Sequence, residues 1–385
     1  MTGPSIFLVA AEPSGDNLGA KLIAALRARA PDARFAGIGG ERMAGEGFQT
    51  LFPIGDLSVM GFVEVLPKLP TVLDRLKRTA AAIRETKPDV VVLIDSPSFG
   101  LRVADRVRDT GVPIVQYVAP QLWAWRPGRA KKLARRVDRI LALFPFEPAF
   151  FARLGLEAVH VGHPALEAGR GDGPAFRAAH GIAPEAELVA VLPGSRRGLF
   201  ARMAPVFAET LRVLAQGRTD LAFVVPYVAN TDAASAAFAA ALPGRAVRVF
   251  SAEEKRAALA ACDAALTISG TSVLELAIAR LPMAVGHRVN AFSAFLARRL
   301  IRVGHVTLPN LIAGRTIVPE RLQEDCTPAI LAADLARLLD DMSVRAEMLA
   351  GFESVCAQLG EAEIARGVLP SALAAEAVLA AIKTR

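Results

Sequence analysis

Short apolar runs alternate with helix-length patterns along the whole chain, and that alternation limits the fold more than any other feature. The runs fall at residues 6–11, 34–38, 90–95, 113–118, 139–143 and 158–161, with a second series at 188–192, 222–226, 247–250, 264–268 and 283–286. Strands separated by helical patterns build a parallel sheet covered by helices. Between the two series, residues 162–184 are loose in pattern and carry glycines at 162, 169, 171, 173 and 181, which places a linker there. The expected architecture is α/β: two doubly wound, Rossmann-like domains facing a cleft, one over 1–165 and one over 174–359. Residues 360–385 read as one alanine-rich helical pattern that can cross back onto the first domain. A chain of 385 residues is long for a single core, which agrees with two domains.

Composition narrows the class. Hydrophobic residues make up 53% of the chain, with 19 Phe and only two Trp and two Tyr, so a large aliphatic core can form. The formal charge of +7 favours an anionic partner, whether nucleic acid, phosphorylated metabolites or an acidic membrane. Cys262, Cys326 and Cys356 are odd in number and far apart. They fit neither a disulfide framework nor a metal site, and point to a reducing compartment. Residues 1–15 lack a basic start and a long apolar run, so they read as a first strand and not as a signal peptide. No segment approaches the roughly 20 apolar residues of a membrane span. The expectation is a cytosolic protein able to lie on a membrane.

Two small-residue turns follow strands of the second series. Residues 266–276 read as a strand, a turn through Ser269, Gly270 and Thr271, and the first turn of a helix. That geometry aims backbone N–H groups and a positive helix end at a phosphate. Glu275 could then hold ribose hydroxyls. The plainer alternative is that Ser272 and Glu275 form an S-x-x-E capping box without any ligand. In Leu192-Pro193-Gly194-Ser195-Arg196-Arg197-Gly198, glycine lets the backbone approach a ligand, and Arg196 or Arg197 can reach a diphosphate with a forked pair of hydrogen bonds. Alone it would be a basic surface turn; two such turns in one sheet favour a nucleotide site. Neither is a loop ending in Gly-Lys-Ser/Thr and neither has G-x-G-x-x-G spacing, so ATPase and dehydrogenase chemistry recede.

In the first series, Asp95 ends an apolar strand, where a buried carboxylate needs a partner or a task. It is either a helix N-cap or an acid–base group at the cleft. Glu12 is in the same situation, with Ser14, Gly15 and Asp16 expected to cap the next helix. His163 and His287 stand alone and read as structural. No histidine–carboxylate set has metal-ligand spacing, so neither metal nor cofactor is expected. From 62 to 84, apolar Phe62, Val63, Leu66, Leu69, Leu73 and Leu76 alternate with Lys68, Arg75, Lys77, Arg78 and Arg84. Trp123-Ala124-Trp125-Arg126 is followed by Arg129, Lys131, Lys132, Arg135 and Arg136. Both stretches fit helices lying on an anionic bilayer; for the second, a helix packed on the sheet with a solvated basic face fits at least as well. No stacking-platform motif supports RNA, so no nucleic-acid partner is expected.

Several motifs carry a family resemblance. Ala11-Glu12-Pro13-Ser14-Gly15-Asp16-Asn17-Leu18-Gly19-Ala20, Ser58-Val59-Met60-Gly61, Ile94-Asp95-Ser96-Pro97 and Tyr117-Val118-Ala119-Pro120-Gln121-Leu122-Trp123-Ala124-Trp125 resemble lipid-A-disaccharide synthase. So do Leu192-Pro193-Gly194-Ser195-Arg196, Ser269-Gly270-Thr271 and Leu308-Pro309-Asn310-Leu311-Ile312-Ala313-Gly314. The resemblance implies a metal-free GT-B glycosyltransferase joining UDP-2,3-diacylglucosamine to 2,3-diacylglucosamine 1-phosphate. The product is a β-1,6-linked disaccharide, made at the inner face of the cytoplasmic membrane. It further implies Asp95 as general base, and Arg196 and Asn310 at the UDP end of the site. The chain departs from the family pattern at Ala11, Ser98, Ala119, Leu199 and His287. Another UDP-GlcNAc transferase or an epimerase of the same architecture, or a silent lipid- or UDP-binding protein, remain rivals. Monomer and homodimer both stay open.

Overall fold

The computed structural model describes residues 3–57, 62–125, 127–227, 231–290 and 304–382, with backbone alone at 62–68, 124–125 and 127–129. The chain divides into two compact units, Met1–Glu167 with Leu359–Arg385, and Ala168–Gln358. The first holds β1 (Ser5–Ala10), β2 (Arg34–Ile38), β3 (Val90–Ile94), β4 (Ile114–Tyr117), β5 (Arg139–Ala142) and β6 (Glu157–His160). All its neighbours are parallel, in the order β2-β1-β3-β4-β5-β6. The second holds β7 (Glu187–Leu192), β8 (Leu221–Pro226), β9 (Arg245–Val249), β10 (Ala264–Thr267), β11 (Met283–His287) and β12 (Glu320–Leu322). These are again parallel, in the order β12-β11-β10-β7-β8-β9.

These runs are strands because both faces are covered. Val91 and Leu93 of β3 point into a cluster with Leu76, Ile83 and Val103. Val90, Val92 and Ile94 point the other way, against Leu22, Leu26, Ala374 and Val378. Each such side chain stabilises the unit by about 1.5–3 kcal/mol when fully buried. The second cluster includes residues of the helix Pro370–Leu379, so the end of the chain is part of the first unit's core. The 360–385 pattern is not one helix, however. It breaks into Glu361–Ala365 and Pro370–Leu379, because Gly367 adopts φ +81° and Pro370 starts a new helix. Among the described residues, no helix is long and apolar enough to cross a membrane.

Strand order reverses once in each sheet, between β1 and β3 and between β7 and β10. In open parallel sheets the crevice beyond the carboxyl ends at such a reversal is where ligands bind. Each unit therefore has one place where the backbone itself makes room for chemistry.

Candidate functional site

In the first unit that place is occupied by Asp95 and the loop after β1. Ala10 and Ile94 are partners in the β1–β3 register, so the turns that follow them lie side by side. Gly15 lets the helix Pro13–Arg29 approach closely: a Cβ there would come within 3.0 Å of the Ile94 carbonyl oxygen. As a result Ser14 Oγ donates to Asp95 Oδ2 at 2.7 Å. Among the described residues Asp95 Oδ1 has no hydrogen-bond partner. Asp95 caps no helix: Ser96 is the N-cap of Pro97–Val107, and no side chain caps that helix.

The turn is strained. Asp95 and Ser96 adopt φ of +53° and +36°, and Val118, beyond the neighbouring strand β4, adopts +71°. For a β-branched residue that conformation is an outlier, and each such residue costs about 1–3 kcal/mol unless its surroundings hold it. The brace is Gln116, fully buried in β4. Its Nε2 donates to the carbonyl oxygens of Asp95 at 3.3 Å and of Tyr117 and Val118 at 3.2 Å each. In the sequence Gln116 shows only as an amide inside an apolar run, with nothing to mark what it braces.

Glu12 stands at the exposed N-cap of Pro13–Arg29, and its side chain caps nothing. Ser14, Gly15 and Asp16 do not cap that helix either, because it begins at Pro13 and they already lie in its first turn. Asp16 instead caps Glu41–Gly45, accepting from the N–H groups of Gly40 at 2.7 Å, Arg42 at 2.9 Å and Met43 at 3.0 Å.

In the second unit the reversal opens a cavity of about 380 Å³. Its floor is apolar, from Leu192, Leu199, Phe200 and Ile268, and Ser195, Arg196, Ser269, Gly270, Thr271 and Glu275 line its rim. Leu192 and Thr267 pair in the β7–β10 register, which brings the two turns together. Gly194, at φ +113°, is required: a Cβ there would come within 2.8 Å of Ile268 Cδ1. Two helices start at this rim, Arg197–Leu214 and Thr271–Ile278, and no side chain caps either. Their first-turn N–H groups and positive ends favour an anion.

The Ser272–Glu275 capping box is absent. Gly270 is the N-cap, Ser272 Oγ lies 3.3 Å from Thr267 Oγ1, and Glu275 is paired with Lys255 of the helix Ala252–Ala261. Asn310 does not line the cavity; it is fully buried and its amide is satisfied inside the fold. Nδ2 donates to Val318 O at 2.8 Å and Glu320 Oε1 at 2.9 Å, and Oδ1 accepts from the N–H groups of Ile317 at 2.7 Å and Val318 at 2.9 Å. Glu320 in turn accepts from the Val306 and Thr307 N–H groups, and Ser269 Oγ donates to Val306 O at 3.3 Å. Asn310 thus supports the loop against which Ser269 rests.

Burial lowers the basicity of both singled-out histidines. His163 is pushed down to about 4, and its Nδ1 accepts from the Ala165 N–H at 3.2 Å. His287 is pushed down by burial first, then by the charges of Arg196 and Arg202. The three cysteines are buried, and none forms a disulfide among the described residues. Of the apolar stretch after residue 61, Leu69 and Leu73 are 38% and 39% exposed, on the helix Phe62–Thr86. The side chains of Phe62, Val63 and Leu66 lie outside the described residues, as does Ser58-Val59-Met60-Gly61. Among the described residues no His, Cys, Asp and Glu cluster could hold a metal ion.

A family model described as lipid-A-disaccharide synthetase matches residues 6–366. The lipid-A-disaccharide synthase of Rhodospirillum centenum is 48% identical over 385 residues, covering 99% of this chain and 95% of that protein. That of Paramagnetospirillum magneticum is 46% identical over 383 residues, covering 97% and 96%. Among solved structures, a Staphylococcus aureus MnaA–UDP co-structure superposes with a TM-score of 0.65 at 13% identity, covering 94% of this chain and 95% of that one. MurG of Acinetobacter baumannii gives 0.59 at 14% identity, covering 98% and 99%. At such identities the likeness is one of fold, and it is the GT-B fold that the two parallel sheets describe. The family match and the curated relatives carry further: the chain belongs to the lipid-A-disaccharide synthase family of glycosyltransferases.

Proposed function

We propose that the protein transfers the diacylglucosamine unit of UDP-2,3-diacylglucosamine to the 6-hydroxyl of 2,3-diacylglucosamine 1-phosphate. The new bond is β-1,6, and UDP leaves. The observation that carries this assignment is the cavity at the reversal of the second sheet, where two uncapped helix ends and Arg196 surround a space suited to a diphosphate.

Asp95 is the base in this scheme. It takes the proton of the acceptor's 6-hydroxyl as that oxygen attacks the anomeric carbon from the face opposite the diphosphate. The strained turn supports this role, since strain of this kind persists where a side chain must be aimed. Ser14 orients the carboxylate through Oδ2, and Gly15 keeps the loop close enough for an acceptor phosphate. As the anomeric bond breaks, its electron pair goes to the departing UDP. Arg196, Ser195 and the N–H groups of Ser269, Gly270 and Thr271 stabilise that charge, a class of interaction worth about 3–4 kcal/mol per donor. Glu275 accepts from the ribose hydroxyls, and Asn310 acts indirectly through the loop beside Ser269.

Exposed Leu69 and Leu73, with exposed Lys77 one turn beyond Leu73, form the apolar and basic face that meets acyl chains and the anionic inner face of the cytoplasmic membrane, whereas Arg78 lies over the Phe52 ring. Light scattering on the purified protein decides between monomer and homodimer. The assignment is tested by incubating the full chain with both lipid substrates in detergent micelles and analysing the products by mass spectrometry. The disaccharide 1-phosphate is expected only when both are present. Epimerisation of soluble UDP-GlcNAc, or UDP binding without any product, would contradict it.

A further inference from the structure

Lys255 is a cavity-lining residue for which the transfer scheme has no use. It sits in the first turn of Ala252–Ala261, whose start is firmly held. Ser251 Oγ accepts from the Glu254 N–H at 3.0 Å, and Glu254 Oε2 accepts from the Phe250 N–H at 2.8 Å. The Lys255 N–H donates to Ser251 O at 3.0 Å. From this anchored turn its ammonium reaches across to Glu275 Oε2. Both side chains are partly exposed, and an exposed ion pair of this kind adds little to stability.

Its place on the cavity wall suggests a different purpose. Among the described residues the charged side chains lining the cavity are Arg196, Lys255 and Glu275. A diphosphate is at least doubly negative, so an unpaired Glu275 carboxylate beside it would repel it and cancel the attraction of Arg196. With Lys255 bound to Oε2, the wall keeps a net positive charge. The pairing also leaves Glu275 Oε1, which has no partner among the described residues, able to accept from a hydroxyl.

We propose that Lys255 is a donor-binding residue: it neutralises and orients Glu275, so that one wall can hold a ribose diol beside a nucleoside diphosphate. This rests on the assignment of the cavity as the diphosphate site. The alternative is a strap between two helices with no bearing on ligands.

The test is calorimetric binding of UDP to the full chain and to K255M, K255R, E275Q, K255M/E275Q and R196A, with folding checked by circular dichroism. K255M should weaken UDP about ten-fold and K255R should recover most of that loss, since the charge is what matters. The double variant should bind more tightly than K255M, because the unpaired carboxylate is gone, and this non-additivity identifies the coupling. The gap between wild type and K255M should narrow with added salt. If K255M does not fold, K255Q serves the same comparison. UDP affinity within about two-fold of wild type for the folded Lys255 variant, while R196A is impaired, overturns the role of Lys255 alone. Unchanged affinity in R196A as well overturns the cavity assignment, and this proposal with it. The strap alternative predicts a small drop in Tm for K255M and E275Q alike, and unaltered UDP binding.

Discussion

Replacing Glu147 by Gln probes how the buried polar centre of the first unit is held. Glu147 is 1% exposed. Its Oε2 accepts from the N–H groups of Leu143 and Phe144, and its Oε1 from Trp123 Nε1, each at 3.1 Å. Burial outweighs those bonds and pushes the carboxyl up from 4.5 to about 7. His163, stacked 5.9 Å from Phe144, is pushed by burial from 6.5 down to about 4. The two act with opposite sign. Because folding raises the Glu147 value, its contribution to stability is full below pH 4.5 and is lost as pH rises through about 7. Because folding lowers the His163 value, its contribution is full above pH 6.5 and is lost as pH falls through about 4. At about 1.4 kcal/mol per pH unit each spans about 3 kcal/mol, so the two nearly cancel in the window they share. Glu147→Gln removes one of them. It also costs a roughly pH-independent amount, because the amide offers one acceptor oxygen where the carboxylate offered two. Urea unfolding followed by tryptophan fluorescence reports on this unit, since Trp123 and Trp125 are the two tryptophans of the chain. The stability of Glu147→Gln relative to wild type should rise by about 3 kcal/mol between pH 4.5 and 7. A flat or falling difference would refute the argument.

Three further outcomes are expected. Arg196→Ala should lower kcat about 10²–10³-fold and weaken UDP, as measured by steady-state kinetics and calorimetry; near-normal values of both would remove Arg196 from the site. Leu69→Ser with Leu73→Ser should reduce sedimentation with anionic vesicles on the order of ten-fold and raise KM for the lipid substrates. Unchanged sedimentation would mean that this helix does not meet the membrane. Gln116→Leu removes the brace on the Asp95 turn and should lower kcat by about ten-fold while UDP affinity stays put, because strain is no longer held in place.

Periodicity is a local property, and what it governs was legible in the chain. Continuous apolar runs such as 90–94 had to be covered on both faces, and the turns after residues 192 and 267 announced themselves through glycine and small hydroxyl residues. Three-residue β12, with the sequence Glu-Arg-Leu, has one apolar residue and no apolar run, and is a strand only because β11 supplies its partner. Partner choice was equally hidden. Asp16 caps a helix 25 residues away because Gly40 is brought beside it, and Glu275 meets Lys255 in place of its own helix end. Asn310 was singled out by a motif, yet its amide is spent on residues 317, 318 and 320. Gln116 and Lys255 were passed over for a related reason: a side chain's task depends on what the fold sets opposite it.

The central claim is that Asp95 removes the proton of the attacking hydroxyl. Asp95→Asn preserves shape and can still accept from Ser14, but lacks the basic oxygen. The decisive measurement is kcat for this variant with both lipid substrates, alongside its UDP affinity. The account predicts normal folding, normal UDP binding and a loss of about two to four orders of magnitude in kcat. Retention of more than about a tenth of wild-type kcat, well outside that range, would contradict it and turn attention to Glu12.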